Sequence, residues 1–560
     1  MTFKALSPTF SASPQLTKAD IALAAESGFR TIVDHRPDGE EAGQPSAAEM
    51  QALASSQGLA FAHIPVRVGA ISEADIAKMV DLLGRSAGPV LGYCKSGTRA
   101  AMMWALAQNA DASPQSLLAS ASGAGFDLAS IASRLAARSA PAERLHLAAK
   151  TYDVVIVGGG SAGIATASSL LKRDPKLAIA IIEPAVEHLY QPGWTLVGAG
   201  VFTAEQTRRA EESVMPRAVT WIRQAASGFS PETNEVVLAD GASVSYRVLV
   251  AAPGLKLDWD AIPGLTQALG TNGVTSNYRF DLAPYTWRQV RDLRKGRALF
   301  TQPAMPIKCA GAPQKAMYLS CDHWRRGGVL PTIDVEFHNA GAALFGVAAY
   351  VPALMDYVKR YGIDLKPQSN LVAVDGPAKI ATFETRADGE TVRVEQEFDM
   401  LHAVPPQVAP DFVRSSPIAG PSGFVEVDQG TLRHTRYDNI YSLGDACSTP
   451  NAKTMAAARK QAPVVAVNVL ATLAGRQPTA IYDGYGSCPL TVERGKIVLA
   501  EFAYGGKLTP SFPAWFIEGT KPSRAAWFLK EKILPTIYWQ GMLKGHEWLA
   551  SPHTADGGSV

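Results

Sequence analysis

The chain has 560 residues, room for three or four domain-sized units. It is 47% hydrophobic and 19% charged, an ordinary globular composition, and its net charge of +2 comes without a long basic run, which excludes a nucleic-acid binder built on a global positive field. Five cysteines, at 94, 309, 321, 447 and 488 with none in a C-x-x-C pair, exclude a secreted disulfide scaffold and give no basis for a metal site.

The opening residues MTFKALSPTFSASPQLT carry no apolar signal-peptide core, and no run of about 18 apolar residues predicts a spanning helix. The expectation is a cytoplasmic protein, peripheral at the inner face of a membrane. Residues 1–138 alternate strand and helix signals. A strand in FRTIVDHRP is followed by a helix from Ala47 to Gly58, a strand in LAFAHIPV, a helix in SEADIAKMVDLLGRS and a strand in PVLGY. This alternation predicts a small parallel α/β domain. An Ala-rich stretch broken by Ser-Ala-Pro then places a linker at 139–150.

At the end of PVLGY the chain reads CKSGTRA and opens a helix. Cys94 is expected in a ring of backbone N–H groups with Arg99 completing an anion cradle, a setting that lowers a thiol pKa. Four residues separate the two, one fewer than a cysteine-phosphatase loop holds, and the narrower cradle suits a single sulfur better than a phosphate. Asp34 and Asp38 are read as turn or cap residues rather than general acids, and His63 as a satisfied strand histidine.

From Tyr152 the sequence YDVVIVGGGSAGIATASSLLKR predicts strand, tight turn and helix. Gly158 permits the turn, Gly160 leaves space for a pyrophosphate, and Gly163 lets helix and strand pack closely. Ser161 and Ala162 lie on the same turn. A second strand, LAIAIIE, ends in Glu183, 20 residues after Gly163, where a carboxylate can hold ribose hydroxyls. Farther on, YSLGDAC places Asp445 after a short apolar strand; it resembles the Gly-Asp of two-domain flavoproteins, a likeness that implies a contact with the ribityl chain of FAD. The segment after RALFTQP lacks a second GxGxxG, so no nicotinamide site is expected. Two Rossmann-like domains are predicted over 151–505. The last segment, 506–560, combines Trp527, Phe528, Ile533, Tyr538 and Trp539 with Arg524, Lys530, Lys532 and Lys544. It is predicted to be an amphipathic, membrane-interacting tail.

The segments EPAVEHLYQPGWTLVGAG, PIKCAGAPQK, LFGVAAY, GDACSTPNAKT and YDGYGSCPL resemble the sulfide:quinone oxidoreductases, in the branch that includes the mitochondrial enzyme; the likeness runs from Tyr152 to Trp548. It implies FAD as cofactor, hydrogen sulfide as electron donor, a membrane quinone as acceptor, and a small thiol or sulfite as sulfur acceptor. It also implies that Gln191 touches the flavin and that Cys309 and Cys447 form the working disulfide, with the persulfide on Cys447. Cys321 and Cys488 are read as buried and inert. The N-terminal region, VDHRPDGEEAGQPS with HIPV and YCKSGTR, resembles a phosphatase-like domain found fused to metallo-β-lactamase-like hydrolases and associated with sulfur transfer. A true phosphatase or a docking module stays open for it, as does an NADH:quinone oxidoreductase for the rest; homo-oligomerisation is left open.

Overall fold

The computed structural model describes residues 3–67, 69, 71–108, 114–132, 134–135, 151–387, 390–554 and 558. The linker expected at 139–150 lies outside the described residues. The chain divides into two compact units, Met1–Ala149 with Asp240–Ala242, and Lys150–Ala239 with Ser243–Val560.

In the first unit three helices start where the sequence supplies a reciprocal cap. Thr17 with Asp20, Ser46 with Glu49 and Ser72 with Asp75 each exchange side-chain and backbone hydrogen bonds. These boxes begin the helices Lys18–Glu26, Ala47–Ser56 and Glu73–Arg85. Four strands, Phe10–Ser13, Val90–Tyr93, Thr31–Asp34 and Ala60–His63, pair in parallel in that order. Lys4–Ser7 adds an antiparallel edge strand that the sequence reading did not contain. Such a short strand presents no alternation long enough to register as a pattern.

The second unit holds two mainly parallel sheets. In the first, Thr220–Ile222, Ile179–Ile182, Thr151–Val157, Ser243–Ala251 and Ile440–Ser442 run parallel. The register aligns Val157, Ala251 and Ser442, so the turns after all three strands emerge on one edge. Open α/β sheets bind ligands outside the carboxyl ends of their strands, and this edge is that place. The second sheet orders Val274–Thr275, Met400–His402, Gly296–Gln302, Ile333–Asn339 and Asp364–Pro367, all parallel. The hairpin Gly486–Glu493 and Lys496–Phe502 shares a buried core with the helix Ala312–Arg326.

No helix among the described residues is long and apolar enough to cross a membrane. The C-terminal segment departs from an amphipathic interfacial helix. It is a broken run of short α, π and 3-10 turns from Arg524 to Lys544. Tyr538 is fully buried, Trp527 and Lys530 are nearly so, and Phe528 and Ile533 stay exposed. Composition could not separate these outcomes, because an aromatic-rich run looks the same against a core as against headgroups.

Candidate functional site

The dinucleotide turn forms where Thr151–Val157 gives way to the helix Ser161–Arg173. Gly158 has φ +103, and a Cβ there would stand 2.3 Å from the Ala252 carbonyl oxygen. At Gly163 a Cβ would fall 1.9 Å from the Gly158 oxygen, whereas at Gly160 it would meet nothing within 4 Å. The first and third glycines therefore serve packing, and the second leaves open space. The Glu183 carboxylate accepts from Gly159 N at 2.7 Å and Ala185 N at 2.8 Å, while burial raises its pKa against those donors.

Gly158, Gly160, Ser161, Ala162 and Glu183 line a cavity of about 380 Å³ that continues past Gln191, Lys308 and Cys309 to Gly444 and Asp445. Gln191 accepts a hydrogen bond from the Lys308 ammonium. Burial raises the Asp445 carboxyl, opposed by Lys308 and then Lys453. Trp194 Nε1, Thr195 Oγ1 and the Asn277 amide belong to residues of this lining and are buried, without a hydrogen-bond partner among the described residues. Orphaned donors and acceptors in a buried cavity call for a polar ligand. An extended nucleotide with a heteroaromatic ring meets these demands, so the residues present fit FAD.

Cys309 sits at the wall of this cavity in the left-handed region, φ +51, a costly conformation for a non-glycine residue. Its N–H donates to Lys453 O at 2.8 Å, fixing it beside the segment that follows Asp445. Its sulfur lies 3.5 Å from that of Cys488, on the hairpin strand Gly486–Glu493, and 3.0 Å from Lys315 Nζ. Gly311 makes the approach possible, since a Cβ there would come within 2.6 Å of the Cys488 sulfur. The hydrogen bond to Cys488, and after it the Lys315 ammonium, hold Cys309 well below the ordinary thiol range against its burial. The same hydrogen bond, with burial, pushes Cys488 up. Negative charge on this pair is thus favoured at Cys309, next to a buried cation.

This contact differs from the Cys309–Cys447 pairing expected from sequence. Cys447 is wholly buried, with its sulfur 3.3 Å from Gly444 O and 3.0 Å from Thr449 Oγ1. Neither Cys447 nor Cys488 lines the cavity itself, although Gly444 and Asp445 beside the one and Ser487 and Pro489 beside the other do. Cys488, read as inert, is the thiol in contact with Cys309. Cys321 is a core residue of the helix Ala312–Arg326, and burial drives its thiol pKa upward. Lys315 and Lys530 were also missed. Lys530 is a buried cavity residue whose ammonium donates to Pro192 O at 3.2 Å; burial, then repulsion by Lys315, lowers it to about 7.

In the first unit, Cys94 is buried between Val90–Tyr93 and Thr98–Gln108, and Gly97 N points at its sulfur from 3.2 Å. Arg99, also buried, donates to Val66 O at 3.0 Å and to Glu40 at 2.8 Å. Arg36 binds Glu40 at 2.7 Å and Glu41 at 2.6 Å, and Lys95 pairs with Glu41. The Arg99 hydrogen bond, with Arg36 behind it, holds Glu40 down at about 2. Two carboxylates therefore already occupy the cations around the thiol. Asp38 accepts from Ala47 N at 2.7 Å at a helix start, Asp34 from Arg36 N at 2.8 Å, and His63 Nε2 lies 2.9 Å from Arg36 O.

A family model described as beta-lactamase hydrolase-like protein, phosphatase-like domain, matches residues 2–111. The chain is 45% identical over 87 residues to a beta-lactamase hydrolase-like protein of Xylella fastidiosa, covering 16% of this chain and 20% of that protein. Over 395 residues it is 42% identical to the mitochondrial sulfide:quinone oxidoreductase of Dictyostelium discoideum, 70% of this chain and 86% of the relative. Among solved structures, the sulfide:quinone oxidoreductase of Aquifex aeolicus has the same fold, with a TM-score of 0.58 at 20% identity over 69% of this chain and 91% of that one.

Proposed function

We propose, on the premise that the chain belongs to the sulfide:quinone oxidoreductase family, that it oxidises sulfide through Cys309 and Cys488 with a quinone as final acceptor. The contact between these two sulfurs, with Cys309 in the wall of the cavity, carries the reading. In the oxidised pair, hydrosulfide attacks the Cys488 sulfur. The S–S bond breaks, Cys488 keeps the incoming sulfur as a persulfide, and Cys309 leaves as a thiolate. Disulfide exchange expels the sulfur whose thiolate is better stabilised, and the Lys315 ammonium 3.0 Å away gives Cys309 that stabilisation. A small thiol or sulfite then removes the outer sulfur and leaves two reduced cysteines. Closing the Cys309–Cys488 bond again releases two electrons and two protons. FAD held by Gly158, Gly160, Glu183, Gln191 and Asp445 would supply the two-electron redox chemistry that links this closure to the quinone. Mixing sulfide with the purified protein is expected to bleach the visible flavin band, and decylubiquinone to restore it. A yellow protein indifferent to sulfide would contradict the reading.

For the first unit the proposed role is sulfur transfer, with the Cys94 thiolate taking a sulfane sulfur and handing it to a small acceptor. Sharing one chain with the persulfide source raises its effective concentration. The seat of Glu40 on Arg99 favours this over phosphatase chemistry, because a phosphate dianion would have to displace it. Activity with thiosulfate that exceeds activity with p-nitrophenyl phosphate and vanishes in Cys94→Ser is the expected result.

Peripheral membrane contact, from the inner face, is proposed through the exposed aromatics. Trp515 is 86% exposed, Phe516 52% and Phe528 58%. Rings so placed suit the headgroup level. Co-sedimentation with lipid vesicles is expected to fall when Trp515 and Phe516 are changed to Ser.

A further inference from the structure

We propose that Tyr538 is a positioning residue for the dinucleotide turn: its hydroxyl ties the C-terminal segment to Ser161, so that this segment and the cofactor hold each other in place. The proposal rests on the flavin reading above.

Four side chains form an unbroken chain. Glu211 Oε2 lies 3.1 Å from His188 Nδ1, His188 Nε2 lies 2.5 Å from the Tyr538 hydroxyl, and that hydroxyl lies 2.7 Å from Ser161 Oγ. Glu211, His188 and Tyr538 are buried, so water does not compete for these bonds. Ser161 is the first residue of the helix whose free N–H groups face the pyrophosphate position.

The hydrogen inventory sets a direction. Nδ1 of His188 donates to the Glu211 carboxylate, and in the tautomer that carries its one proton there Nε2 is left as an acceptor. Tyr538 then gives its proton to Nε2, and burial pushes the phenol pKa up and keeps that proton available. The oxygen of Tyr538 is left to accept from the Ser161 hydroxyl. Ser161 therefore spends its one proton on Tyr538, and its rotor is fixed toward the protein. The phosphate is served by the backbone N–H groups of the turn that this bond steadies.

The same segment follows the helix farther along. Ser168 Oγ donates to Leu543 O at 2.8 Å, Ser169 Oγ to Glu547 at 2.6 Å, and Arg173 to Glu547 at 2.9 Å. These contacts fasten the segment but do not touch the turn. Tyr538 is the point where fastening and turn meet, and its ring also packs on Tyr190 with centroids 4.7 Å apart. Removing only the hydroxyl leaves that packing intact.

The test is the rate at which FAD leaves the full-length holoprotein, followed by the recovery of flavin fluorescence after dilution. Tyr538→Phe is expected to speed release about tenfold, in line with the loss of a buried hydrogen-bonded group. Ser161→Ala is expected to do the same. The double variant should be no faster than the faster single, because both remove one linkage. Glu547→Gln is expected to lower thermal stability and leave release within about twofold, since its partners lie away from the turn. Wild-type release from Tyr538→Phe, full additivity in the double variant, or equal acceleration by Glu547→Gln would each overturn the proposal while the flavin reading stands. A wild-type protein that takes up no FAD would remove both.

Discussion

Cys94 and Cys309 both stand where a parallel strand gives way to a helix, yet their surroundings treat a negative sulfur differently. Around Cys94 the cations are compensated: Arg99 and Arg36 share Glu40, and Lys95 is paired with Glu41. Beside Cys309 the buried Lys315 reaches the sulfur directly at 3.0 Å, and a second thiol is in contact. The first arrangement suits capture and release of a sulfur without net oxidation. The second suits a thiol that must leave a disulfide and keep its electron pair. A buried charge is costly unless it is paired, and in the proposed reaction the Cys309 thiolate is the partner of Lys315.

The comparison can be broken most severely at the thiols. Cys309→Ser or Cys488→Ser is expected to slow sulfide-dependent flavin bleaching about a thousandfold or more in rapid mixing, as loss of a nucleophile does. Cys447→Ser is expected to keep the rate within about threefold. Next in size, Lys315→Met should cost about a hundredfold, because the Cys309 thiolate loses its cation. A matching loss in sulfur transfer from Glu40→Gln would erase the distinction between the sites. Instead, Glu40→Gln is expected to raise the affinity of the Cys94 cradle for inorganic phosphate about tenfold, read as protection of Cys94 from alkylation. Glu40→Asp should behave as wild type.

The smallest effect concerns Lys530. Its folded pKa, about 7, lies below the ordinary value of 10.5, so between these limits the unfolded chain binds more protons. Stability contributed at this site therefore rises with pH across that window. From pH 7 to 9, Lys530→Met should remove a rise of about 2 kcal/mol, measured as the difference in denaturant unfolding between the two proteins.

Much of this was legible locally. The capping boxes at Ser46 and Ser72, the three glycines from Gly158 to Gly163 and the strand ending at Glu183 are each written within a short window, and short-range patterns carry such features. The thiol pair was not. Cys309 and Cys488 are 179 residues apart, and their meeting depends on a hairpin packing over the start of the helix Ala312–Arg326. Cys447 sits in a motif whose neighbours Gly444 and Asp445 do line the cavity, so sequence proximity favoured it, whereas the sulfur that touches Cys309 in the structure is that of Cys488. Only the hydrogen bonds of Cys447 to Gly444 and Thr449 show it turned inward. Glu40 and Glu41 carry no local signal of their role, because their engagement with Arg99 and Lys95 is a tertiary fact.

The most direct measurement is the location of the persulfide. Protein oxidised at its disulfide is mixed with one equivalent of sulfide, trapped with an alkylating reagent, digested and read by peptide mass spectrometry. The account predicts the added sulfur on the peptide carrying Cys488, with Cys309 alkylated as a plain thiol. An added sulfur on Cys447, with Cys488 unmodified, would contradict it.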